Sequence, residues 1–263
     1  MNTLHESRHA LATIDALGIG TLQLNDAGKL NIIGSAAIAD LCDALQRLSA
    51  QAALRVLVLR GSGERAFIGG ADIGEMAGLT PATAATFITR LAGLCEAVAQ
   101  VPVPVIARIQ GWCLGGGLEV ALACDLRLCD DSAMFGMPEV KVGIPSVIHA
   151  ALLPRLLGQA RADWLLLCCE NIDAARAEAW GLVHERCATG QLDALVQQRA
   201  AALAALPPQA LRQQKRLLRH WQTVPLAQAV RDSIGEFALA YASGEPQALM
   251  GEFMQRKAAR RPA

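Results

Sequence analysis

The chain has 263 residues, enough to bury a sizeable core and close to the upper limit for one domain. Its 24 acidic and 24 basic side chains cancel, and it carries one Tyr, five Phe and four Trp. Both facts argue against a general affinity for nucleic acid, which needs a positive field or stacking platforms.

In chain order, residues 1–20 mix His, Glu, Arg and Asp without a sustained apolar run, so no secretory signal is expected. His5-Glu6-Ser7-Arg8-His9 matches the HExxH zinc pattern literally. That chemistry needs both histidines on one face of a stable helix and a third ligand, whereas this stretch reads as a polar, frayed N-terminus. Runs rich in Ile, Val and Leu at 18–24, 55–60, 103–110 and 126–129 predict strands. Residues 36–48, 81–100 and 116–124 predict helices between them, the second with Pro81 in its first turn. The apolar region from Val101 onward is broken by Pro102, Pro104, Arg108 and Glu119, so no membrane span is expected there. From Pro145 the strand signal fades. Residues 150–157, 161–169, 174–180, 192–206, 208–221, 226–241 and 246–260 read as helices, giving an α/β core followed by a helical last third. Eight cysteines without a CxxC pair sit mostly in apolar runs and read as free thiols in a reducing compartment. A soluble, cytoplasmic protein is the expectation.

Three segments carry candidate chemistry. In Gly111-Trp112-Cys113-Leu114-Gly115-Gly116-Gly117-Leu118-Glu119 a strand runs through three glycines into a helix, whose first free N–H groups suit a negative charge. The run lacks the Gly-Lys-Ser/Thr ending of a P-loop and the GxGxxG spacing of a dinucleotide turn. Glu119 follows Gly116 by about one helical turn and has only apolar neighbours. Two readings weigh evenly: a solvated first-turn Glu that complements the helix dipole, or a lone carboxyl on a buried helix. Glu139, in Gly136-Met137-Pro138-Glu139, reads by itself as a loop carboxylate paired with Lys141. Beside Glu119 it gains meaning, because paired carboxyls divide acid and base roles when their environments differ. The third segment, Gly69-Gly70-Ala71-Asp72-Ile73, offers glycine-flanked N–H groups or an ordinary tight connection.

In this order and spacing, the Gly70-Ala71-Asp72-Ile73, Gly116-Gly117-Leu118-Glu119 and Phe135-Gly136-Met137-Pro138-Glu139 runs resemble the crotonase (enoyl-CoA hydratase/isomerase) superfamily. The similarity continues through Trp180-Gly181-Leu182-Val183 and the C-terminal helices. The resemblance implies a spiral of β-β-α turns over residues 1–200 and a helical trimerisation region over 201–263, assembled as a homotrimer or a dimer of trimers. It implies that the Ala71 and Gly116 N–H groups form an oxyanion hole. Glu119 then activates water and Glu139 protonates the α carbon as a 2-enoyl-CoA is hydrated. Isomerisation of an enoyl-CoA or hydrolysis of an acyl-CoA thioester are the related alternatives. No metal or redox cofactor is implied, since coenzyme A belongs to the substrate. Contacts to the CoA and acyl parts fall to Lys29, Gly70, Asp72, Ile73, Gly115, Phe253 and Lys257. The chain departs from the family pattern at Leu24-Asn25-Asp26-Ala27, at Gly74 where relatives carry Lys, and at Ser146-Val147-Ile148-His149, where relatives have a glycine-rich run.

Overall fold

Asn2–Glu6 (β1), Ala10–Ile14 (β2) and Ile19–Leu24 (β3) form an antiparallel meander in the computed structural model, which describes residues 1–26, 28 and 30–259. In β2 the buried Ala10, Ala12 and Ile14 alternate with half-buried residues, as in a strand with one face on the core. The N-terminus is therefore paired, not frayed. His5 lies in β1 and His9 in the turn after it, with His9 Nδ1 at 2.8 Å from Asp40 Oδ2. The literal HExxH match thus spans a strand and a turn instead of a helix.

The helix Ser35–Ser49 (α1) follows, burying Ile38, Leu41, Leu45 and Leu48 at helical spacing. A unit of strand, short strand and helix then recurs. Val56–Gly61 (β4) leads to Ala66–Ile68 (β5), then to helices Ile73–Met76 (α2) and Pro81–Gln100 (α3). Val105–Ile109 (β6) leads to Trp112–Leu114 (β7) and Gly116–Ala123 (α4). Leu126–Asp130 (β8) leads to Met134–Gly136 (β9), 3-10 turns at Glu139–Val142 and Ile148–Leu152, and Leu153–Leu157 (α5). Gln159–Leu167 (α6), Ile172–Asp173 (β10), Ala174–Trp180 (α7), Glu185–Cys187 (β11) and Leu192–Ala204 (α8) complete the first unit, Met1–Ala204. One sheet runs β1-β2-β3-β4-β6-β8-β11 and the other β10-β9-β7-β5, so each recurrence adds one parallel strand to each sheet.

Strands covered on both faces need unbroken apolar runs, and every residue of β6 is buried. Helix α3 starts on a capping box between Thr80 and Thr83 with Pro81 behind it. By length and composition it is apolar enough to cross a membrane, yet Phe87, Leu91, Leu94, Cys95 and Val98 face the core. Burial of each such Leu or Phe contributes about 2–3 kcal/mol.

The second unit, Ala205–Ala263, holds Pro208–Thr223 (α9), Leu226–Ala240 (α10) and Glu245–Ala259 (α11). Polar pairs join α9 to α10: Arg216 with Glu236 at 2.6 Å and His220 with Asp232 at 2.6 Å.

Candidate active site

The site forms where β7 turns into α4. Gly115 has φ 50° and ψ −124°, a backbone region open essentially to glycine, and a Cβ there would collide with Glu139 Oε1. Gly117 is required by packing instead, since a Cβ would strike the Ile68 carbonyl of β5. Gly116 is the first residue of α4, so its N–H is one of the donors that the helix leaves without a carbonyl. A Cβ built on Gly116 would stand 3.8 Å from the Ala71 nitrogen, which puts Gly116 next to the Ala71 amide.

Ala71 is aimed by its neighbours. The Ile33 N–H donates to Gly70 O across 3.0 Å, and the Asp72 N–H donates to Ile33 O across 3.1 Å. A bridge that uses the atoms on both sides of Ala71 leaves the Ala71 N–H on the opposite side, away from Ile33. Two backbone donors, the Ala71 N–H turned away from Ile33 and the free Gly116 N–H at the start of α4, therefore lie close together in one corner; donors of this kind stabilise a developing oxyanion when both face it.

Glu119 projects from α4 and is 3% exposed, so of the two sequence readings the structure shows the buried carboxyl. Burial pushes its pKa up to about 8, the charge of Glu139 adds to the rise, and the Ala150 N–H opposes it by donating to Oε1 across 3.2 Å. Glu139 opens the 3-10 turn Glu139–Val142 and is half-buried. Burial raises its pKa as well, while its own N–H and the Ser146 hydroxyl pull it back. Ser146 Oγ donates to Glu139 Oε2 across 2.9 Å. The expected pairing with Lys141 is replaced by this bond, and Lys141 is exposed.

Other residues fall differently. Gly70 has φ 126° and abuts the corner. The Asp72 side chain caps α2 by accepting the Glu75 N–H across 3.1 Å, and the Glu75 carboxylate holds the Ser35 N–H across 2.8 Å. Ile73 is 63% exposed at the start of α2. Phe253 and Lys257 are exposed on α11, in the second unit. Lys29 lies outside the described residues.

Two supports carried no catalytic signature in the sequence. Arg127 is buried and closes the C-terminal end of α4: its Nη1 donates to Ala121 O across 3.3 Å and to Cys124 O across 3.0 Å, and its Nε to Leu182 O across 2.7 Å. Ile148 has φ 39°, a left-handed conformation that costs a β-branched residue about 1–3 kcal/mol. It stands directly before His149 and the Ala150 N–H that reaches Glu119.

A corner of backbone donors beside two carboxyls in unlike surroundings is equipped for proton transfer next to a growing negative charge. The enoyl-CoA hydratase/isomerase family model matches residues 15–257. The chain is 37% identical over 188 residues to enoyl-CoA hydratase domain-containing protein 2, mitochondrial, of Mus musculus, a match that covers 71% of this chain and 64% of that relative, less than two thirds of its length. It is 28% identical over 242 residues to a crotonyl-CoA hydratase of Syntrophomonas wolfei, covering 92% and 93% of the two chains. The crystal structure of an enoyl-CoA hydratase from Bacillus anthracis superposes with a TM-score of 0.90 at 28% identity, over 94% of this chain and 96% of the other. With nearly its whole length matched and the same architecture of recurring strand-strand-helix turns, the chain belongs to the enoyl-CoA hydratase/isomerase family.

Proposed function

We propose that this family member hydrates a 2-enoyl-CoA, adding water across the α,β double bond. The observation that carries the reading is the placement of Glu119 and Glu139 around Gly115 and Gly116, with the Ala71 N–H beside them. The thioester oxygen sits between the Ala71 and Gly116 amides and takes up negative charge as the enolate forms, each donor supplying ~3–4 kcal/mol. Glu119 accepts a proton from the water whose oxygen attacks the β carbon. Glu139 delivers a proton to the α carbon, so the pair ends with the same number of protons as it began.

Such a step needs one carboxyl protonated and the other ionised. Burial raises the pKa of both carboxyls, to about 8 for Glu119, which favours a proton held on the pair in the free protein. The reactive form of the pair carries that proton on Glu139 and leaves Glu119 ionised to take the proton of the attacking water. Gly70, Gly115, Ile73, Phe253 and Lys257 remain candidates for contact with the CoA and acyl parts, whereas the Asp72 carboxylate is already engaged at the start of α2. Assembly into a trimer or a dimer of trimers belongs to the same reading. Leu226, Val230, Ile234 and Phe237 support it as an exposed apolar stripe at helical spacing on α10.

The test is a panel of short, branched and aromatic 2-enoyl-CoA substrates with product identification. A 3-hydroxyacyl-CoA product is expected. A product with a shifted double bond, or free CoA with the acid, replaces hydration by isomerisation or thioester hydrolysis.

A further inference from the structure

Residues 146–150 hold both carboxyls. Ser146 Oγ donates to Glu139 Oε2, and four positions on, the Ala150 N–H donates to Glu119 Oε1. Between them Ile148 opens the 3-10 turn Ile148–Leu152 with a left-handed φ of 39°, unusual for a β-branched side chain. A hydroxyl before this residue and an amide after it thus reach two different glutamates. On Glu139 the hydroxyl takes Oε2, while Oε1 lies against Gly115 at the mouth of the donor corner.

We propose that Ser146 is a positioning residue, which fixes the Glu139 carboxyl by its hydroxyl so that Oε1 faces the reacting carbon beside Gly115. Its effect on turnover rests on the hydration reading; its hold on Glu139 does not.

Lys141 is exposed on the same turn, and Glu119 stands beyond Gly115. Helix α6 packs against the turn and carries Arg161 and Asp163. Arg161 donates to Trp180 O across 3.0 Å, and Asp163 accepts from Gln159 across 2.7 Å, so both are engaged elsewhere. Among the described residues, Ser146 gives Glu139 a direct side-chain hydrogen bond that can orient it.

Ser146→Ala and Ser146→Thr separate this role from simple packing. In the free protein, carboxyl-labelled glutamate is followed by NMR, with the Glu139 signal assigned from the Glu139→Gln variant. Ser146→Ala raises the Glu139 titration midpoint by roughly half to one pH unit, and Ser146→Thr restores it, because a donor to the ionised form favours that form. On a 2-enoyl-CoA, Ser146→Ala lowers kcat about 10-fold with KM within about 2-fold, the signature of a group oriented for the transition state. Ser146→Thr recovers most of the loss. An unmoved midpoint in Ser146→Ala overturns the proposal, and so does an unchanged kcat in an active enzyme. If the wild type is inert on every enoyl-CoA while the midpoint still moves, the hydration reading fails and the hold on Glu139 stands.

Discussion

The backbone N–H of Ala150 donates to Glu119 Oε1 across 3.2 Å, setting one neutral donor against the burial of a carboxyl. One such bond does not offset the loss of water, which is why Glu119 keeps its proton to about pH 8.

Stability carries the sign of that imbalance. A carboxyl whose pKa rises from 4.5 unfolded to about 8 folded binds more protons in the native state between those values. Its contribution is fully present below pH 4.5 and is lost as pH climbs through 8. The loss amounts to at most roughly 5 kcal/mol. Glu119→Gln removes the titration, so the variant melts at a higher temperature than wild type at pH 8.5, and the difference narrows toward pH 5. Thermal melts across this range check it; a difference that stays constant with pH contradicts it.

Activity follows the shared proton. Hydration needs one proton on the Glu119–Glu139 pair, and the pair titrates as a unit. The free protein gives up that proton near pH 8, so kcat/KM is expected to decline as pH rises through 8. A pH–rate profile on a 2-enoyl-CoA measures it, and a value still rising at pH 9 contradicts it.

Gly115→Ala combines a glycine-only backbone with a collision against Glu139 Oε1. The expected stability loss is about 1–3 kcal/mol. Turnover falls more steeply, by ~10²-fold, because a small misplacement of the reacting groups is enough for that. Urea melts and steady-state rates on the same preparation distinguish the two effects. Wild-type turnover in a folded variant refutes the placement of Glu139 at this corner.

Arg127→Met tests the far end of α4. It removes the guanidinium's hydrogen bonds to the Ala121, Cys124 and Leu182 carbonyls in a buried site, for an expected destabilisation of about 2–4 kcal/mol. Arg127→Lys recovers little, because one ammonium cannot reproduce the planar fork. A urea midpoint unchanged in Arg127→Met shows the guanidinium to be dispensable.

Much of this framework was legible in the sequence. β4 and β6 announce themselves as runs dominated by apolar residues, β8 more weakly by Leu126, Leu128 and Cys129, and α3 by Thr80 and Pro81 before a periodic apolar face. β5, β7 and β9 are three residues each, too short to show a period, although they position the donor corner. β1 was hidden by its polar composition, and β10 and β11 fall in a region that otherwise reads as helical. The burial of Glu119 was undecided because the same apolar helix fits a surface or a core position. Asp72 was expected near the substrate, yet its spacing of three residues to Glu75 is a helix-start pattern, and the structure uses it so. Ala150 contributes a backbone N–H, which no residue type encodes. Ser146 acts on Glu139 from seven positions away, a separation that marks no local motif in the sequence.

The central claim is that two carboxyls beside a pair of backbone donors carry out the chemistry. Side-by-side hydration assays of wild type, Glu119→Gln and Glu139→Gln, followed by loss of the conjugated thioester absorbance, test it most directly. The account predicts an active wild type and a drop of at least ~10²-fold in each variant, with all three folded. An inert wild type across the enoyl-CoA panel, or a folded variant that retains wild-type turnover, would contradict it.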